Sequence, residues 1–250
     1  MYYMDNKLMA LAIIPGLLIL IYVYGKDKVE KEPLGMIIKL VFLGVISCIA
    51  AGFAEQALST VYPQYPPGTL EYALITSFGL AALCEEILKY LALRIGSWRS
   101  KHFNYRFDGI VYGTSAAVGF AVLENIMYVA QYGLATAISR AFLAVPLHAF
   151  CGVFMGIFYS YSKKASIMGR GSSSLFYTIL SLAVPMLIHG IYDTLAFLGT
   201  DEATYGLLVF VVLLYIAALR TIKKMSDEDR LAGFYPEARV IEYDSDILGN

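Results

Sequence analysis

Charge is what this chain has least of. Only 16% of its 250 residues are Asp, Glu, Lys or Arg, 58% are apolar, and the mean hydropathy is +0.63. A soluble domain of this length has no use for so much apolar surface. The 19 basic and 20 acidic residues leave a formal net charge of −1, which argues against the basic face that a nucleic-acid-binding protein needs. Cysteine is scarce as well. Cys48, Cys84 and Cys151 are odd in number, lie in apolar runs and lack metal-ligand spacing, so they read as buried, inert thiols rather than a disulfide framework or a zinc ribbon. No internal repeat is visible, which disfavours the repeat-built transporters. HExxH and GxGD motifs are missing too, and with them the familiar zinc-protease helix and the aspartyl intramembrane proteases.

What the chain does have is apolar runs of membrane-crossing length, which takes about 20 residues each. They fall at residues 8–24, 34–54, 70–95, 109–132, 135–162, 175–199 and 204–222, separated by turn chemistry such as Pro66-Pro67-Gly68 and Gly169-Arg170-Gly171. The expected fold is therefore all-α, a polytopic transmembrane bundle of about seven helices. The first run closes abruptly at Gly25-Lys26-Asp27-Lys28 with no small-x-small cleavage site after it, and reads as a retained anchor. Basic residues mark alternate loops: Lys26, Lys28 and Lys31, then Arg99, Lys101 and Arg106, then Lys163, Lys164 and Arg170. Lys- and Arg-rich short loops stay cytoplasmic, which predicts the N-terminus outside and the polar tail, residues 226–250, inside. These loop charges are read as solvated topology signals, and Arg140 as a side chain snorkelling near the outer end of its helix. Residues 1–225 form a single transmembrane domain in this reading.

An ionisable group in hydrocarbon costs at least about 2.5–3.5 kcal/mol and so calls for a partner or a task. Six such groups converge: Glu85 and Glu86 on the third run, Glu124 on the fourth, His148 on the fifth, and His189 with Asp193 on the sixth. Glu85 and Lys89 stand at i and i+4, the spacing of an internal ion pair, while Glu86 points about 100° away toward another partner. His189 and Asp193 share the same spacing, which lets the carboxylate set the imidazole tautomer. Phe120, Glu124 and Tyr128 form one stripe. Pro146 and Pro185 precede the two histidines and are expected to bend their helices around a cavity. Singly, each of these groups has an ordinary structural explanation as a lock or a satisfied core residue. Spread over four successive helices they point to function.

Four strings carry a resemblance: Glu85-Glu86-x-x-Lys89, Phe120-x-x-x-Glu124-Asn125, His148-x-x-x-Gly152 and His189-x-x-x-Asp193, in this order on successive helices. Together they resemble the four motifs of the PrsW family, within the wider group of CAAX-prenyl proteases and bacteriocin-processing membrane proteins, over roughly residues 75–200. The CAAX-processing relatives begin with EExxxR and place a histidine where this chain has Glu124, a departure that favours the PrsW branch. The resemblance implies a glutamate-dependent intramembrane endopeptidase of the bacterial plasma membrane. It would make the first cut, on the outer side, in a membrane-anchored protein of the single-pass anti-sigma-factor type. Glu85 or Glu86, with Glu85 preferred, is then the base. Glu124 shares a proton, His189 stabilises the oxyanion or protonates the leaving amine, His148 positions the water or the oxyanion, Asp193 orients His189, and Lys89 and Asn125 support the site. No cofactor is expected, with a divalent metal such as zinc on the same Glu and His side chains as the alternative. Three rivals remain: a proton-coupled transporter, a non-enzymatic membrane binding protein, and a serine protease built on Ser115 of Gly113-Thr114-Ser115-Ala116 with His189.

Overall fold

The structure, a computed structural model, describes residues 5–229. Ser226 and Asp227 of the expected tail still belong to the last helix, and residues 230–250 lie outside the described part. The described residues are helical, with no strand among them. They form α1 (Asn6–Lys26), α2 (Leu34–Ser59), α3 (Leu70–Leu74), α4 (Leu83–Ser97), α5 (Arg106–Tyr132), α6 (Leu134–Phe142), α7 (Ala144–Ile167), α8 (Gly171–Leu198) and α9 (Asp201–Asp227). Residues Ile75–Ala82 join α3 to α4 as a π-helical stretch, so Leu70–Ser97 is one column wound in three pieces. Six helical segments among the described residues are long and apolar enough to cross a membrane, α6 and α7 counting as one. The interrupted Leu70–Ser97 column is not one of these six, and it carries Glu85, Glu86 and Lys89.

The helix ends follow local chemistry. Asp5 accepts from the Lys7 and Leu8 amides at the start of α1, Thr200 accepts from the Ala203 amide at the start of α9, and Gly199 ends α8 in the left-handed region at φ 64. The fifth expected span breaks in two at Leu143, and Pro146 supplies the reason. Its ring clashes with the carbonyl four residues back and it has no N–H to offer. That carbonyl belongs to Phe142, the last residue of α6, and it accepts instead from the Tyr215 hydroxyl of α9 at 3.0 Å. Pro146 thus restarts a helix, whereas Pro185 sits inside a continuous α8.

The centre of the bundle is α5. Every residue from Phe107 to Ala121 is buried, as expected of a helix surrounded on all sides by others. It packs along α7, α2 and α1, and α8 and α9 close the far side of α7. Contact between α5 and α7 depends on glycine: a Cβ on Gly113 would stand 2.3 Å from the Gly152 carbonyl oxygen, and one on Gly152 2.6 Å from that of Gly113. The backbones therefore meet almost directly. This accounts physically for the glycine of His148-x-x-x-Gly152, which seats α7 on α5 one turn below the histidine. The peripheral helices turn large apolar side chains outward, among them Ile38, Phe42 and Phe53 on α2 and Leu208, Val209 and Val212 on α9. Such a surface suits lipid and not water.

Candidate active site

The motif helices bring Glu85, Glu86, Lys89, Glu124, His148, His189 and Asp193 into one hydrogen-bonded cluster. Lys89 lies at its middle. Its ammonium donates to Glu85 Oε2 at 3.0 Å and to Glu86 Oε1 at 2.8 Å, lies 3.0 Å from His148 Nδ1, and stands 4.0 Å above the Phe120 ring centre. The expected Glu85–Lys89 pair is present, but Glu86 is not turned away from the lysine. At i and i+3 it shares the ammonium and also meets His189 Nδ1 at 2.9 Å. The far nitrogen of His189 reaches Asp193 Oδ2 at 3.2 Å, the i, i+4 contact read from the sequence. His148 is built alike: Nδ1 faces Lys89, and Nε2 meets Glu124 Oε2 at 2.8 Å. Both imidazoles thus hold an outer carboxylate on Nε2 and turn Nδ1 to the centre, with their rings 5.0 Å apart.

Glu124 has a second partner that the sequence reading assigned elsewhere. Arg140 does not snorkel: its guanidinium donates to Glu124 Oε2 at 2.5 Å and to Asn125 Oδ1 at 3.0 Å, and stacks 4.0 Å over Tyr128. The break at Leu143 lets α6 turn this side chain back onto α5. Asn125 also donates to the Ala12 carbonyl, tying α1 to the site. The stripe Phe120, Glu124 and Tyr128 therefore serves Lys89, His148 and Arg140 in turn. Ser115 is remote from this chemistry. Its hydroxyl donates to the Val111 carbonyl at 2.7 Å, and both nitrogens of His189 are engaged by carboxylates.

A cavity of about 580 Å³ opens over the cluster, lined by Glu85, Glu124, His148, His189 and Asp193. Glu86 is not on its wall and is fully buried behind Glu85. The mouth is formed by Gln56 and Ser59 at the end of α2 and by Phe197 at the end of α8, the end of the bundle away from the lysine-rich loops. Glu55 of α2 lines the cavity too and escaped the sequence reading, which ended that span at residue 54; Cys48, Ala51 and Glu55, at i, i+3 and i+7, are the stripe that carries the signal. The π-helical stretch packs on α8 beside the cluster: a Cβ on Gly190 would come 2.2 Å from the Phe78 ring. Like the other two cysteines, Cys151 is buried and free.

One donor atom from each of Glu85, Glu86, His148 and His189 lies within 4.8 Å of the others. Glu86 Oε2 is buried and accepts no hydrogen bond.

Comparison with known proteins gives the chain a family. Residues 32–219 match the family described as "PrsW family intramembrane metalloprotease". "Protease PrsW" of Bacillus subtilis (strain 168) is 35% identical over 212 residues, covering 85% of this chain and 92% of the relative. Those of Geobacillus kaustophilus (strain HTA426) and Oceanobacillus iheyensis are 33% and 31% identical, over 87% and 88% of this chain and 92% and 97% of the relatives. No solved structure matches the chain. The chain is a multi-pass membrane protease and belongs to the PrsW family of intramembrane proteases.

Proposed function

We propose that the chain cuts a membrane-anchored protein within or at the edge of the bilayer, with Glu85 as general base toward a water held in the cavity. The observation that carries this reading is the position of Glu85. It lines the cavity, whereas Glu86 sits behind it, bound to His189 and Lys89. A base needs access to water and substrate in a partly desolvated site. His189, held by Asp193, faces the same cavity and is placed to donate to the carbonyl oxygen as it gains charge, or to the departing amine. Asp193 and Glu124 orient the two imidazoles, and Arg140 and Asn125 hold Glu124.

The residues also fit a divalent metal ion, the alternative already open in the sequence. Each imidazole holds a carboxylate on Nε2 and aims Nδ1 inward, the arrangement that presents a histidine to a metal. Within the cluster, Glu85, Glu86, Glu124 and Asp193 outweigh Lys89 and Arg140 by two charges, which one divalent ion or two protons neutralise. Glu86 Oε2 is the buried oxygen without a partner. Glu86, His148 and His189 would hold the ion, with the Lys89 ammonium drawn off His148 Nδ1 to admit it, leaving Glu85 as base. When bound, it would lower the pKa of its water and polarise the scissile carbonyl.

The family resemblance supplies the substrate reading, a single-pass anti-sigma factor cut on the outer side. The lysine-rich loops lie at the end away from the cavity mouth, which supports an outward-facing cavity and an outside N-terminus. The test is reconstitution of the pure protein in lipid with a single-pass anti-sigma factor. Cleavage near the outer membrane boundary supports the reading, and an intact substrate contradicts it.

A further inference from the structure

Two acidic residues of the α1–α2 loop, expected to be solvated, are buried. Asp27 is 1% exposed and Glu32 2%, and both face Asp108, which is completely buried on the first turn of α5. One carboxylate oxygen from each lies within 4.8 Å of the others. Each acid has part of its capacity spent. Asp108 Oδ2 accepts from the Asn104 and Tyr105 amides at 2.8 and 2.6 Å and so caps α5, while Glu32 Oε2 accepts from the Tyr112 hydroxyl. What is left over points to a ligand: Asp108 Oδ1 and both oxygens of Asp27 are buried and accept no hydrogen bond. An uncompensated buried carboxylate costs several kcal/mol, roughly, so a compensating charge is called for. Lys31 attracts Asp27 through space but forms no ion pair with it, since its ammonium donates to the Tyr24 carbonyl at 2.6 Å and lies over the Tyr24 ring.

We propose that Asp27, Glu32 and Asp108 form a site for one hard divalent cation, calcium or magnesium, that clamps the end of α1 and the α1–α2 loop to the start of α5. The donors are all carboxylate oxygens with neither imidazole nor thiolate among them, a set that suits these ions and not zinc. The site is separate from the Glu85 cluster in both place and chemistry. Its role is structural: α5 begins at this clamp, and Glu124 lies farther along the same helix. Around it the ends of α1 and α9 are already tied, by Ser226 to the Lys26 carbonyl and by Lys28 to Asp227.

The test is binding of calcium and of magnesium to the full-length protein in detergent after chelation, by equilibrium dialysis and by thermal unfolding. The expected result is one ion per chain with a saturable rise in unfolding temperature, in the wild type and equally in Glu86→Gln. Asp27→Asn should need at least about tenfold more ion for the same rise. Should Asp27→Asn not fold, Glu32→Gln takes its place, and the wild-type dialysis decides by itself. No binding of either ion to the wild type at about 1 mM overturns the proposal and leaves a cluster held by shared protons. Binding unchanged in the variants, or lost in Glu86→Gln, overturns it too.

Discussion

His148 Nε2 lies 2.8 Å from Glu124 Oε2, so the second and third sequence motifs meet across the α5–α7 interface in a single contact. The carboxylate sets the imidazole so that Nδ1 faces the centre of the cluster. Glu124→Gln keeps the shape but removes the charge, and proteolysis should fall by about 10–100-fold with the protein still in the membrane. Rates from matched amounts of pure protein check this, and full activity would remove Glu124 from the site.

Lys89 compensates two buried carboxylates, as its contacts of 3.0 and 2.8 Å show. Lys89→Met strands both, and should cost about 3–5 kcal/mol of stability as well as activity. Thermal unfolding in detergent measures the loss. Unchanged stability would mean that the carboxylates are compensated by another group.

Gly190 abuts the Phe78 ring beside His189. In Gly190→Ala the new methyl must displace Phe78 or α8, at a cost of about 1–3 kcal/mol. Loss of activity with only this modest loss of stability is expected. An active and equally stable variant would show that the π-helical stretch does not position His189.

Ser59 lies at the cavity mouth and Ser173 at the start of α8, at opposite ends of the bundle. The native cysteines are buried, so an added one should dominate labelling. A membrane-impermeant thiol reagent applied to whole cells should modify Ser59→Cys and spare Ser173→Cys. The reverse would turn the cavity toward the cytoplasm.

Much of the site was legible because it rests on spacing within single helices. Glu85 with Lys89 and His189 with Asp193 meet at i, i+4, and periodicity carries that much. Arg140 was misread because its partners are 15 and 16 residues away, and only the break at Leu143 folds α6 back to them. Burial of Asp27 and Glu32 likewise depends on tertiary contact, since a short acidic loop looks solvated until α5 packs over it. The π-helical stretch has no compositional mark that separates it from an apolar α-helix, so the third span read as one regular helix.

The central claim is that Glu85 and Glu86 carry the chemistry and that Ser115 does not. Cleavage of a single-pass substrate by pure reconstituted protein should be abolished by Glu85→Gln, strongly impaired by Glu86→Gln and unaffected by Ser115→Ala. Inactive Ser115→Ala beside fully active glutamate variants would contradict the account.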